Sequence, residues 1–349
     1  MTQLSDANDR LARTYLGVLD AFDDKYARAD AAGRGTLVSE FAETIWPTVV
    51  KAHGWAAQMK TDVATACCAM FPNAAANVLW ALLELDERVR WLELAREASH
   101  KLKVSDQEVM GADQLFSAEL NTLGNLGIAY GDAGKHRPAM GCHFGALRLI
   151  RTISEPRRRI DRRAIVLSNL AVNLNGLGKY LSALACAGRA LGELEGAGAP
   201  ESVTHASAHT NRGLAYKHLF IRDRDRTTHD RARAEFEAAR DIALRIGYVQ
   251  SETDALGNLG DLCRLAGRPG DAEELHRRQL DRARDGAKKW SEGNALRSIG
   301  EDLKELGRVE EARRVLEDAL KVFLDSGETK SASEVESLLA NLTPILPNL

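Results

Sequence analysis

No stretch of this 349-residue chain approaches the roughly 18 consecutive apolar residues that a membrane span requires, so no bilayer partner is implied. Met1 to Arg10 is polar and acidic and lacks the charged-then-apolar pattern of a signal segment. The five cysteines, Cys67, Cys68, Cys142, Cys186 and Cys263, form no C-x-x-C pair. An odd, scattered set reads as reduced thiols and predicts a cytoplasmic protein. No H-E-x-x-H, G-x-S-x-G or strand-linked G-x-G-x-x-G occurs, and nothing in the sequence has the alternation of a strand. Aromatic residues amount to 5% and prolines number eight, whereas Ala, Leu, Arg and Glu dominate and 28% of residues are charged. That is a long-helix composition. The net charge of −3 argues against an electrostatic platform for nucleic acid.

What the chain does have is a repeat. Leu123–Gly124–Asn125–Leu126–Gly127 returns as Leu256–Gly257–Asn258–Leu259–Gly260 and, more loosely, at Leu167–Ala171, His209–Gly213 and Leu296–Gly300. The aligned small residues are Gly127, Ala171, Gly213, Gly260 and Gly300, at steps of 44, 42, 47 and 40. Such a period means stacked supersecondary units, each unable to bury its apolar face alone. Within a unit, Leu123, Leu126, Gly127 and Tyr130 fall on one helical stripe, and the missing side chain at Gly127 lets a partner helix approach. Gly134, Gly178, Gly267 and Gly307 then end the first helix, and Pro138 and Pro269 mark the start of a second. The second helices carry Ala139, His143 and Ala146, or Ala312, Leu316 and Ala319. Between Tyr216 and Ala232, the alternating Arg and Asp residues of Phe220–Asp230 predict a solvated inter-helix loop.

The stripe L-x-x-L-G-x-x-Y followed by A-x-x-x-[F/H/L]-x-x-A resembles the tetratricopeptide repeat, with Leu in place of the family's leading Trp in four of five copies. The resemblance implies an all-α fold, a right-handed α-solenoid (superhelix) of helical hairpins with an irregular helical cap at the N-terminus. The expected organisation is residues 1–105 as that cap, with a degenerate repeat; 106–330 as five hairpins; and 331–349 as a C-terminal capping helix and tail. Helical stretches are expected at Asp6–Ala31, Phe41–Met59, Asn77–Leu85 and Glu87–Leu102. Cys67–Ala74 and Asp86–Ala98, placed ahead of the repeats, also resemble the sensor arm of bacterial STAND-type NTPases. The NTPase module itself is missing: Gly134–Lys135 and Gly178–Lys179 have neither the following hydroxyl residue nor the earlier glycine of a phosphate loop. This resemblance implies a free-standing arm or one part of a split system, with an NTPase or effector partner encoded separately.

Asn125, Asn169, Asn211 and Asn258 occupy one slot in four consecutive repeats. In the family the first helix of each hairpin lines a concave groove. An asparagine there carries both donor and acceptor and can bond the backbone of an extended peptide. The alternative is that each asparagine bonds helix backbone and fixes the stacking. Asn121, Asn175, Lys217, Asp261 and Arg264 are further groove candidates, with Asp254, Asn294, Glu301 and Lys304 beside them. The expectation is a non-catalytic scaffold that binds protein or peptide, an adaptor or sensor in a signalling or defence-type assembly, with no cofactor, metal, nucleic acid or membrane partner. An alternative is a peptide-responsive regulator of a transcription or signalling partner. The remote alternative is a metal-dependent enzyme using His205 and His209, which share a helix face but have no third ligand near them in sequence. Arg157–Arg159 with Arg162 and Arg163, the one basic cluster, reads as a solvated connection between repeats.

Overall fold

The computed structural model describes residues 2–28, 31–74, 82–103, 111–286 and 289–342. Among them the regular structure is entirely helical, as the composition predicts, and sixteen helices fall into two compact units, Met1–Gly176 and Leu177–Leu349. The stretch expected at Asn77–Leu85 lies mostly outside the described residues, as do residues 343–349 of the C-terminal segment.

The first unit holds α1 (Thr2–Arg28), α2 (Ala31–Thr44), α3 (Trp46–Gln58), α4 (Asp62–Ala74), α5 (Leu85–Lys103), α6 (Ala112–Asp132), α7 (His136–Ile150) and α8 (Pro156–Gly176). The break between α2 and α3 has a plain cause: Pro47 sits in the first turn of α3, without an N–H to continue the helix and with a ring that clashes with the carbonyl four residues back. α1 packs on α3 and α4. α4 and α5 pack together and then on α6, the same succession of contacts that α6, α7 and α8 make, so one further, degenerate hairpin precedes the five legible ones. The scarce aromatic residues collect here. Trp46 stacks on Trp91 (5.6 Å between ring centroids), His53 lies flat on Trp91 (3.6 Å), and Phe71 meets His53 edge-on (5.7 Å).

The second unit holds α9 (Tyr180–Gly196), α10 (Val203–Asp223), α11 (Arg226–Ile246), α12 (Val249–Leu265), α13 (Pro269–Asp285), α14 (Lys289–Glu305), α15 (Val309–Asp325) and α16 (Thr329–Ala340). First helices α10, α12 and α14 touch one another in series. Second helices α11 and α13 each pack on the first helix before and the first helix after. α16 closes the row on α15, where Ala332, Val335 and Leu342 cover Leu303, Leu316 and Phe323.

The turns follow the expected chemistry. Gly134, Gly178, Gly267 and Gly307 have φ between 68° and 75°, a left-handed conformation that lets the chain reverse at a helix end. The small-residue slot has an equally specific reason. A Cβ on Gly127 would stand 2.4 Å from the His143 ring, on Gly213 2.5 Å from Phe236, on Gly260 2.4 Å from His276 and on Gly300 2.5 Å from Leu316. Each of these four glycines on a first helix therefore accommodates one large side chain of its own hairpin's second helix.

Two expectations need correction. Phe220–Asp230 is not a loop: α10 continues to Asp223 and α11 starts at Arg226, leaving two residues between them. Arg224 turns the chain at φ 54°, and the Asp225 carboxylate caps α11 by accepting from the backbone N–H groups of Thr227 (3.2 Å) and Thr228 (3.1 Å). The charges lie on exposed helix ends and pair locally, Arg222 with Asp223 (2.7 Å) and Arg226 with Asp230 (3.9 Å), so extra turns absorb the extra residues. The Arg157–Arg163 cluster likewise is not a connection. It forms the first two turns of α8, where Arg159 donates to the Ile153 carbonyl (3.1 Å) and Arg162 reaches back to α6.

Candidate functional site

The polar slots predicted from the repeat fall on the first helices of each unit, but the two units use them differently. In the second unit the polar groups bond one another. Lys217 on α10 is only 8% exposed, which a cation tolerates only with partners. Its Nζ donates to Asn258 Oδ1 (2.9 Å) and Asp261 Oδ2 (3.1 Å), both on α12. Asn258 also donates to the Asp254 carbonyl of its own helix (2.8 Å), so both halves of its amide are engaged. Arg264 donates to Asp261 (3.0 Å), pairs with Glu301 and stands 3.6 Å from Asp302, reaching from α12 to α14. Burial pushes the Asp261 carboxyl up, but Lys217, His276 and Arg264 outweigh it and hold it below the usual carboxylate range. Asn211, in the same slot, is buried.

His276 extends this network into the second-helix layer. Its Nδ1 lies 2.5 Å from Asp302 Oδ2, and its Nε2 donates to the Gly257 carbonyl (3.2 Å). Neither side chain of the pair is exposed. Burial lifts the Asp302 carboxyl, and the bond to His276 offsets only part of that.

In the first unit the row is built of amides. Asn73 Nδ2 on α4 lies within bonding distance of Thr122 Oγ1 (2.8 Å) and of the carbonyls of Ala118 and Ala69 (3.2 Å each). Its Oδ1 accepts from Asn125 on α6 (3.4 Å). Asn121, one turn earlier, accepts from Arg162 of α8 (3.3 Å). Asn169 is half-buried, and among the described residues its amide makes no hydrogen bond, although its carbonyl accepts from Asn173 (3.1 Å). Asn175 is buried.

Sequence reasoning missed Asn73 and Asn173. Asn73 belongs to the degenerate hairpin and lies outside every copy of the Leu-Gly-Asn-Leu-Gly repeat. Asn173 is 2% exposed; its Oδ1 accepts from His136 Nδ1 (3.1 Å), and its Nδ2 donates to His143 Nε2 (3.2 Å). His143 is thereby fixed as neutral, its Nε2 being an acceptor, and burial pushes its pKa down to about 4.

His205 and His209 do not converge on a shared ligand. His205 is buried against Ser202 (3.0 Å), and His209 faces Glu235 (2.8 Å), which Arg212 also contacts (3.0 Å). Among the described residues no group of three His, Cys, Asp or Glu side chains is placed to hold a metal ion, and no helix is long and apolar enough to cross a membrane. All five cysteines are free thiols.

Residues 251–325, which are α12 to α15 with their turns, match the family described as tetratricopeptide repeat. That segment carries tetratricopeptide repeats. Its fold is similar to that of aspartyl phosphate phosphatase F from Bacillus subtilis (TM-score 0.56, 14% identity, 98% of this chain and 80% of that one). It is also similar to a Rap protein complexed with Competence and Sporulation Factor (TM-score 0.55, 14% identity, 96% and 98%). A Signal Transduction ATPase with Numerous Domains protein with a tetratricopeptide repeat sensor, from Pyrococcus horikoshii, matches at TM-score 0.49 and 12% identity over 85% of this chain and 43% of that one. No curated protein sequence matches the chain.

Proposed function

We propose that this tetratricopeptide-repeat chain is a non-catalytic scaffold that binds an extended peptide or protein segment along its first helices, serving as a cytoplasmic adaptor or sensor in a signalling or defence-type assembly. The observation that carries this reading is the half-buried Asn169 amide, which has no intramolecular partner among the described residues and sits on a helix packed against the one bearing Asn121 and Asn125. An amide offers a donor and an acceptor together, the pair a peptide backbone needs, whatever its side chains. The similar Rap fold in complex with Competence and Sporulation Factor supports the same use of the architecture. In this reading Asn169, with Asn121 and Asn125 on the neighbouring first helix, faces the ligand backbone within the first unit, whereas Asn258, Lys217, Asp261 and Arg264 of the second unit bond one another and hold its own first helices together. Occupancy is then reported to an NTPase or effector carried on another chain.

The test is selection of a random-peptide phage library on the immobilised full-length protein, followed by affinity measurement with the Asn125→Ala, Asn169→Ala double variant. Selected peptides should bind that variant at least about tenfold more weakly, since each lost amide strands a peptide group. Unchanged affinity in a folded double variant overturns the amide reading.

A further inference from the structure

The first unit contains a cavity of about 350 Å³ between α1 and the successive first helices α4 and α6. Its lining is chemically uneven. Leu16, Met70 and Ala118 make apolar walls. Asn73 stands at one side, its amide locked by Thr122, Ala118 and Asn125, so that the wall is rigid before anything enters. Gln114, Ser117 and the Nδ2 of Asn121 supply polar groups that make no hydrogen bond among the described residues. Asp20 is the one charged side chain in the lining, is exposed, and has no ion pair or hydrogen bond among the described residues. Gly17 opens the entrance: a Cβ built on it meets nothing within 4 Å.

The geometry points to a subsite for a primary ammonium group at the end of an aliphatic peptide residue. A single uncompensated carboxylate selects a monocation over a polyamine, which would require several acids. Apolar walls suit an aliphatic chain, and the neighbouring amide and hydroxyl groups suit the peptide group that follows the ammonium. The volume lies at the small end of ligand cavities, about 300–1,000 Å³, which suits one or two residues and not a folded partner. Because Asn121 lines the cavity and Asn125 bonds its wall, a peptide anchored here would run straight on to the amide row. The inference rests on the peptide-binding reading and adds a fixed end to it.

The test uses the full-length protein with ¹³C-labelled methionine methyl groups. The chain has five methionines, and the Met70 signal is assigned with the Met70→Leu variant. Titration with leucinamide should move the Met70 signal saturably. Binding should be at least tenfold weaker in Asp20→Asn, which replaces an exposed residue, and lost in Gly17→Met, whose Cβ meets nothing within 4 Å and whose longer side chain is directed at the entrance. N-acetyl-leucinamide, which lacks the ammonium, should leave the signal in place. Nα-acetyl-lysinamide separates the two sources of the group: a response to it alone assigns the subsite to a lysine side chain, and a response to leucinamide assigns it to a peptide N-terminus. Silence with both amines, an equal response to N-acetyl-leucinamide, or an unchanged Asp20→Asn titration overturns the subsite. Phage-selected peptides that bind through Asn169 while Met70 stays silent would sink the subsite and leave the scaffold standing. A Met70 response without any Asn169-dependent peptide would do the reverse.

Discussion

His276 and Asp302, 2.5 Å apart and both fully buried, occupy the repeat positions that Phe236 and Leu262 fill one hairpin earlier. The first member sits four residues after the leading alanine of a second helix (Ala272, Ala232); the second sits two residues after the small residue of the next first helix (Gly300, Gly260). His143 and Asn173 stand in the same relation in the first unit, 3.2 Å apart. Polar meets polar and apolar meets apolar at each of these junctions.

A double-mutant cycle tests that matching. Asp302→Leu alone leaves His276 buried against an apolar group and should destabilise by about 3–5 kcal/mol. His276→Phe together with Asp302→Leu copies the neighbouring junction and should recover most of the loss. Urea denaturation of the four proteins gives the coupling. Additive single effects would show that the pair is not a unit.

Glycine substitutions should divide by what faces them. Gly213→Ala pushes a Cβ to 2.5 Å from the buried Phe236 ring and should cost about 1–3 kcal/mol. Gly141→Ala, on an exposed face of α7 with nothing within 4 Å, should stabilise by about 0.5–1 kcal/mol. Thermal denaturation of both variants suffices, and equal shifts of one sign would refute the close-approach explanation.

Acid should loosen the first unit. Burial lowers both His53 and His143 to about 4, below the 6.5 of an exposed imidazole. Between those values the unfolded chain takes up protons that the folded unit refuses, so stability is complete above about pH 6.5 and falls as pH drops toward 4. Each histidine contributes on the order of 3 kcal/mol across that window. His143→Gln keeps an acceptor for Asn173 without a titrating group, so its melting temperature should fall less steeply from pH 7 to 4. A slope identical to that of the unaltered protein would contradict the assignment.

Asn258 and Asn169 share a slot but not a fate. Asn258→Ala removes the bonds to Lys217 and Asp254 and should lower stability by about 1 kcal/mol. Asn169→Ala removes no bond among the described residues and should leave stability within about 0.5 kcal/mol. Chemical denaturation of the two single variants decides it, and equal losses would mean that Asn169 is held by the fold after all.

The repeat made much of this legible in advance. Gly127, Gly213, Gly260 and Gly300 announced the close approaches, and Gly134, Gly178, Gly267 and Gly307 announced the turns, because each backbone demand admits few side chains. The alternating charge of Phe220–Asp230 suits a solvated loop and an exposed helix end equally well, and the pairing of Arg226 with Asp230 one turn on belongs to the second. Asn73 and the cavity beside it were illegible: α1, α4 and α6 are distant in sequence, and the first two carry no copy of the motif. The His143–Asn173 and His276–Asp302 junctions were present in the letters, but only the packing showed that residues 30 and 26 positions apart are neighbours.

The junction rule restricts how such an array can grow. A duplicated hairpin arrives with a second-helix side chain that must suit the small residue before it and the residue two beyond the small residue after it. In this chain the copies bearing His143 and His276 are followed by hairpins offering Asn173 and Asp302, and the copy bearing Phe236 by one offering Leu262, so an exchanged copy of the other kind strands a buried polar group. Unequal exchange between repeats therefore yields a stable chain only for certain orders of copies, which gives the array a grammar of succession.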